Sequence, residues 1–286
     1  MNGVLGLKID VDTYQGMKKG VPRLLEVLAA FDVKGTFYLS IGPDASGLAV
    51  LQLLKNPLFL KKMIHTNAPG LYGLKTALYG TILPSPMIAL SFPGMVRDIM
   101  EQGHEVQFHA WDHRRWQDSL LSRPESWIRT WFEKGMTAFE KVTGRPATSF
   151  GAPAWLMDNR VLNILKDYPL DYLSCTRAPR PFIHELLGIP EIPSDLPCFE
   201  EVGPAGGADI ILERLQSGGM HILPVHAEVE GGIWREAFVN LMHHIQRNGY
   251  VVNTLGDIRR TLVVDALERC PLKMGLLPGR SVPCCI

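Results

Sequence analysis

The chain has 286 residues, and its 29 lysines and arginines are balanced by 29 aspartates and glutamates. That length can bury a large core as one α/β domain, and zero formal net charge speaks against a nucleic-acid partner, which would ordinarily show a basic excess. Five cysteines with no CxxC pair and no regular framework point to a reducing cytoplasm. No signal peptide is expected at the start of the chain, and no uncharged run reaches the roughly 18 apolar residues of a membrane span.

Strand and helix patterns then alternate. Residues 3–9 are expected to form the first strand, 20–31 a helix with Pro22 in its first turn, and 33–40 the second strand. From about 42 to 93 the periodicity breaks down, and a stretch that long reads as an insertion or cap rather than a connection. A helix near 94–102 leads to a strand at 105–109. A long helix follows at 124–143, with Trp127 and Trp131 on one face as core residues. Next come a strand at 147–150, a loop at 151–155, a helix at 158–167 and a strand at 170–174. Residues 176–206 are proline-rich and read as loop, with a short strand at 189–192. A helix at 208–216, a strand at 220–225, a loop at 226–232, a helix at 234–247, a strand at 250–253 and a last long helix at 255–268 complete the pattern. Residues 1–270 are expected to form one catalytic domain and 271–286 a loose tail.

Repeated β-α units favour a parallel sheet or barrel, whose chemistry sits where strands end and loops begin. The chemically unusual residues fall at those places. Asp10 and Asp12 end the first strand, His109 ends another, Pro153 and Trp155 follow a third, and His226 follows a fourth. His109 and His113 are four residues apart, so their rings can meet one point if the strand hands over to a helical turn. With Asp12 they make a two-His, one-carboxylate set that leaves coordination positions open, as a catalytic divalent metal requires. Zn, Co, Mn and Fe all accept such ligands. Asp10 would act as general base on a water, and His226 would protonate a leaving amine. That chemistry is metal-assisted amide hydrolysis.

Each motif also has a plainer meaning. Asp10-Val-Asp12 alone can cap a helix, an HxxxH pair can lie on a solvated face, and a lone His226 is most often structural. Asp112 can orient a ligand histidine or cap the next helix. His65 and His184 carry no role, and His243 and His244 lie on a helix as surface or packing residues.

These residues also resemble the polysaccharide deacetylases. That family's acidic, HxxxH, Pro/aromatic and late Leu-x-His motifs look like Ile9-Asp10-Val11-Asp12, His109 to His113, Gly151-Ala-Pro153-Ala-Trp155 and Pro224-Val-His226. The resemblance implies a distorted, incomplete (β/α) barrel, one divalent metal on Asp12, His109 and His113, Asp10 as base and His226 as acid. The family's usual third-motif Arg is replaced by Gly151 or Ala152, which leaves open what orients the base. A closer similarity is to one branch, the 4-deoxy-4-formamido-L-arabinose-phosphoundecaprenol deformylases. It is carried by Gly6 to Thr13, Gly42-Pro-Asp44, Tyr79-Gly-Thr81, His109-Ala-Trp-Asp-His113 and His226-Ala-Glu228-Val-Glu230-Gly231.

That branch implies an undecaprenyl-phosphate-linked amino sugar as substrate, with Tyr79, Pro153, Trp155, Glu228 and Glu230 as substrate-binding candidates. It also implies a role in lipid A modification and polymyxin resistance, at the cytoplasmic face of the inner membrane. Leu51, Leu53, Leu54, Leu58, Phe59 and Leu60, beside Lys55, Lys61 and Lys62, would either lie on that anionic surface or form a helix packed on the barrel. Alternatives are an N-deacetylase of another amino sugar, a non-catalytic binder of a lipid-linked sugar, and a two-metal phosphoesterase, for which the ligands are too few.

Overall fold

A computed structural model describes residues 3–49, 78–278, 280 and 282–286. The apolar and lysine-rich part of the insertion, with His65, lies outside the described residues.

Strand β1 (Val4–Val11) is the hub of the sheet. Its residues alternate: Leu5, Leu7, Ile9 and Val11 join the main apolar core, while Lys8, Asp10 and then Asp12 turn to the opposite face. β1 pairs in parallel with β2 (Thr36–Ser40), with β8 (Met220–His226) and, at its start, with β9 (Val251–Asn253). From β2 the sheet runs through β3 (Glu105–Ala110), β4 (Ser149–Phe150) and β5 (Tyr172–Leu173). It then continues through β7 (Pro190–Glu191) and β6 (Phe182–His184) to β10 (Arg269–Cys270). Only the β6–β7 pairing in this sheet is antiparallel among the described residues. The sheet curls into the incomplete barrel that the family resemblance implied.

Helices cover the outer face. They include α1 (Val21–Ala30), α2 (Pro93–Glu101), α3 (His113–Ser119) and α4 (Glu125–Thr143). On α4, Ile128, Trp131, Phe132, Gly135 and Phe139 are buried at three- and four-residue spacing, and Gly144 ends the helix with a left-handed φ of 76°. Trp131 packs on Trp116 with ring centroids 4.3 Å apart, so the tryptophans are core residues, as their spacing indicated. A second, smaller cluster of Tyr38, Tyr172, Ile192, Ile222, Leu255 and Ile258 fills the other side of the sheet. Glu105 ties the base of that cluster together by accepting from Tyr172 Oη at 2.9 Å, Thr36 Oγ1 at 2.7 Å and Gly256 N at 2.8 Å.

Toward the C-terminus the structure corrects the sequence expectation. After α5 (Asn159–Leu165), the short strand expected at 189–192 is present as β7, but the proline-rich stretch 176–206 also contains β6 and the short helix α6 (Phe199–Val202) where loop was expected. Beyond α7 (Gly207–Leu215) and α8 (Arg235–Arg247), the spacing over 255–268 predicts one helix. Instead α9 ends at Thr261 (Leu255–Thr261), because the following chain extends to place Arg269 and Cys270 beside β6. The residues after Cys270 are not loose. β11 (Met274–Gly275) pairs antiparallel with β12 (Cys284–Cys285), and both cysteines are buried.

Candidate active site

The side chains singled out from the sequence at strand ends gather at the C-terminal ends of β1, β3, β4 and β8. Asp112 sits in extended conformation and caps α3, its Oδ1 accepting from Arg115 N at 3.0 Å. This abrupt strand-to-helix change turns His109, on β3, and His113, the first residue of α3, toward the same carboxylate. His109 Nε2 lies 3.0 Å from Asp12 Oδ1, and His113 Nε2 lies 3.3 Å from Asp12 Oδ2. The three residues singled out as a ligand set therefore come together in space.

The local chemistry fits a cation. His109 Nδ1 is 2.7 Å from Gly151 O, a carbonyl that can only accept, so Nδ1 donates there and Nε2 is the ring nitrogen turned to Asp12. His109 Nε2 and Asp12 Oδ1 are both buried with no hydrogen-bond partner. Buried and 3.0 Å apart, they need a positive charge between them, either a proton or a metal ion. Burial pushes the His113 imidazolium down to about 4, which leaves a neutral ring ready to ligate. Burial alone would raise the Asp12 pKa, but the adjacent His113 and His109 outweigh it and hold the carboxyl well below the usual carboxylate range.

Asp10 points to the same face as Asp12, and both its oxygens accept from Lys8 Nζ. Lys8 is 0 % exposed, and its ammonium lies over the Tyr38 ring at 4.9 Å from the centroid. A buried lysine beside a carboxylate is costly unless the pair is tightly held. Here it supplies the cation that the third motif lacks. Position 151 has no room for a side chain, since a Cβ on Gly151 would stand 2.8 Å from Tyr38 Cδ1. The positive charge at Asp10 comes instead from Lys8, two residues upstream on the same strand. Lys8 is not among the candidates that motifs mark, although a lysine at an inward position of a buried strand is a signal the sequence carries.

His226 ends β8, in register with Asp10. Its backbone N–H donates to Glu230 Oε2 at 2.7 Å, and its Nδ1 lies 2.9 Å from Glu200 Oε2. Burial opposes the charged imidazole, but Glu200, with further help from Asp12 and Glu230, raises its pKa well above the ordinary histidine value. Glu200 lies on α6, inside the stretch expected to be loop, and no local pattern marked it. Burial raises Glu230 to about 7, and burial with the nearby Asp12 raises Glu228 well above the usual range. The HAEVEG segment packs on the turn before α1, where a Cβ on Gly20 would stand 1.9 Å from Ala227 O.

Pro153 and Trp155 form a short turn after β4 and are buried. The Trp155 ring meets His226 edge-on, with centroids 6.3 Å apart. Tyr79 packs on Tyr14, just past Asp12, at 6.1 Å between centroids. Asp44 accepts from Tyr14 N at 2.8 Å and Ser46 N at 3.0 Å, which ties the loop after β1 to the start of the insertion. His184, given no role from sequence, is a buried partner of Glu191 at 2.8 Å.

Residues 7–173 match the polysaccharide deacetylase family. This chain belongs to that family. A Shewanella sediminis protein named as a 4-deoxy-4-formamido-L-arabinose-phosphoundecaprenol deformylase is 32% identical over 250 residues, covering 85% of this chain and 82% of that protein. A protein of the same name from Wigglesworthia glossinidia brevipalpis is 28% identical over 280 residues, covering 93% and 96% of the two chains. Among solved structures, a Mycobacterium smegmatis protein described as a polysaccharide deacetylase superposes with a TM-score of 0.69 at 20% identity, covering 96% of this chain and 95% of its own. That likeness establishes the polysaccharide deacetylase fold. Within it, this member carries Lys8 on β1 and Glu200 on α6 against the two residues, Asp10 and His226, that face each other across β1 and β8.

Proposed function

We propose that the chain is a metal-dependent amide hydrolase that removes formate from 4-deoxy-4-formamido-L-arabinose carried on undecaprenyl phosphate. The released amino sugar would serve lipid A modification and thereby resistance to cationic peptides such as polymyxin. The observation that carries the chemistry is the in-register pair Asp10–His226 beside the Asp12, His109 and His113 cluster. The substrate follows from the Shewanella relative's name.

Asp12, His109 and His113 would hold the ion, which supplies a Lewis acid for the formyl oxygen and for a water. Asp10, fixed by Lys8, takes a proton from the attacking water. The water oxygen bonds to the formyl carbon. His226, kept protonated by Glu200, delivers a proton to the sugar nitrogen as the C–N bond breaks. Formate and the free amine leave. Glu228 and Glu230, both with raised pKa values, present carboxyls suited to hydrogen-bond the sugar, and Trp155, Pro153 and Tyr79 supply apolar walls. The site would work at the cytoplasmic face of the inner membrane as a peripheral protein. No helix of the described residues is long and apolar enough to cross a membrane.

The test is release of formate and acetate from matched N-formyl and N-acetyl amino-sugar phospholipids, with and without added Zn or Co. Metal-dependent formate release, lost in Asp10→Asn and His226→Ala, is expected. Faster acetate release would move the protein to the general deacetylases. No release of either, with metal bound, would favour a binding role.

A further inference from the structure

Ala154 and Trp155 are consecutive non-glycine residues in the left-handed region, with φ of 55° and 53°. L side chains rarely adopt that conformation, so the surrounding structure has to hold it. Part of what holds it is the C-terminal segment. Arg280 Nη2 donates to Ala154 O at 3.1 Å, and its guanidinium lies 5.0 Å from the Trp155 ring centroid. Its Nη1 reaches Glu201 Oε1 at 3.4 Å, and the same oxygen accepts from Arg177 Nη1 at 2.6 Å.

The segment is pinned on both sides of the Trp155 loop. Cys285 O accepts from Arg177 N at 2.9 Å, and Cys285 Sγ accepts from Met157 N at 3.3 Å. Ile286 N donates to Lys273 O at 3.0 Å. On its inner side the Trp155 ring lies against His226, the proposed acid, and against Lys8, the partner of the proposed base. Lys8 Nζ, which holds Asp10, is 5.5 Å from the ring centroid, and His226 meets the ring edge-on.

We propose that Arg280 is a positioning residue of the active site, acting through Trp155 to keep Lys8 and His226 apart and aligned. Arg280 touches no reacting atom. It lies beyond residues 7–173, which match the family, so a segment outside the matched region completes the site. Of the two arginines on the indole, Arg177 is fixed independently by Ser194 O and Leu196 O, at 2.8 and 3.0 Å. Arg280 is the one bonded to the strained backbone itself. The inference rests on the deformylase reading for its turnover measurements, and one arm of the test is independent of turnover.

The experiment compares wild type with Arg280→Ala, Arg280→Lys, Trp155→Leu and the Arg280→Ala/Trp155→Leu double variant. Formate release, bound metal and melting are measured on each. The expected result for Arg280→Ala is a kcat loss of about tenfold or more, with KM changed less than about threefold and metal content unchanged. Arg280→Lys recovers most of the rate, because an ammonium still caps the indole. In the double variant the losses do not multiply, since both act through one ring. In parallel, the 19F signal of 5-fluorotryptophan at position 155, assigned by its absence in Trp155→Leu, moves in Arg280→Ala and returns toward wild type in Arg280→Lys. An unmoved fluorine signal overturns the inference even if no substrate turns over. So does a kcat within about twofold of wild type, a lysine variant no better than alanine, or fully multiplicative losses. Wild type inactive on the formamide, with the fluorine response intact, would sink the deformylase reading and leave the positioning role standing.

Discussion

Asp10 and His226 stand opposite each other as register partners on the adjacent parallel strands β1 and β8, and Ala227 N donates to Asp10 O at 2.9 Å to continue that ladder one step further. Side chains in register on neighbouring strands project from the same face. The distance between the proposed base and acid is therefore set by backbone hydrogen bonding rather than by a mobile loop. A formamide carbon placed beside Asp12 would have the two groups on either side of it.

Lys8 is expected to be indispensable to the base. Removing it leaves Asp10 buried without a counter-charge, and breaking a buried pair costs about 3–5 kcal/mol. Lys8→Met should lower stability by that order in a denaturant titration and cut kcat by about a hundredfold or more. Lys8→Arg should retain part of the activity. Equal, mild losses in both variants would remove Lys8 from the positioning role.

The pH profile should report Glu200. His226 has to carry a proton to act as acid, and its pKa is raised, so activity should persist through neutral pH and fall as pH rises through that elevated value. Glu200 is the largest of the influences that raise it. Glu200→Gln should therefore move the alkaline fall in kcat to lower pH, by about one unit or more. An alkaline limb that stays in place would mean another group supplies the proton.

Chelation should destabilise the protein. Without a metal ion, only a proton can join Asp12 Oδ1 to His109 Nε2, 3.0 Å away in a buried site. Zn or Co at about a hundred times its Kd would add about 2.7 kcal/mol of stability, visible as a rise in Tm over the chelated protein. Asp12→Ala and His109→Ala should abolish that rise. A metal-induced shift preserved in both variants would place the ion elsewhere.

Restoring a side chain at position 151 should harm rather than help. The Cβ of Gly151→Ala would meet the Tyr38 ring, and overpacking of that kind costs about 1–3 kcal/mol. Gly151→Arg should be worse and should not rescue Lys8→Met. Rescue in the double variant would show that the family's usual orienting position still works in this chain.

Much of this was legible in the sequence. Alternation in Leu5-Gly6-Leu7-Lys8-Ile9-Asp10-Val11 marks a strand with one apolar face and Lys8 and Asp10 on the other, and HxxxH after a strand marks a turn that can gather two rings. Glu200 and Arg280 were not legible. One sits on a four-residue helix in a proline-rich stretch, and the other follows the last regular helix, so neither has periodic neighbours to betray its direction. The helix expected over 255–268 failed for a related reason. Helical spacing continues in the sequence past Thr261, but pairing of Arg269 with Ile183 at the sheet edge takes the chain away from it.

By itself, then, the sequence determined the alternating α/β class, the position of the first strand and which chemically distinctive residues, Asp10, Asp12, His109, His113 and His226, fall at strand ends. These rest on local periodicity and residue chemistry, which a linear chain records directly. Only the tertiary structure decided which charges support them. Lys8 against Asp10, Glu200 against His226 and Arg280 against Trp155 are choices of partner made by register and packing. For the last two, the partners stand 26 and 125 positions apart (226 − 200 and 280 − 155), and no local pattern encodes a contact across such a distance.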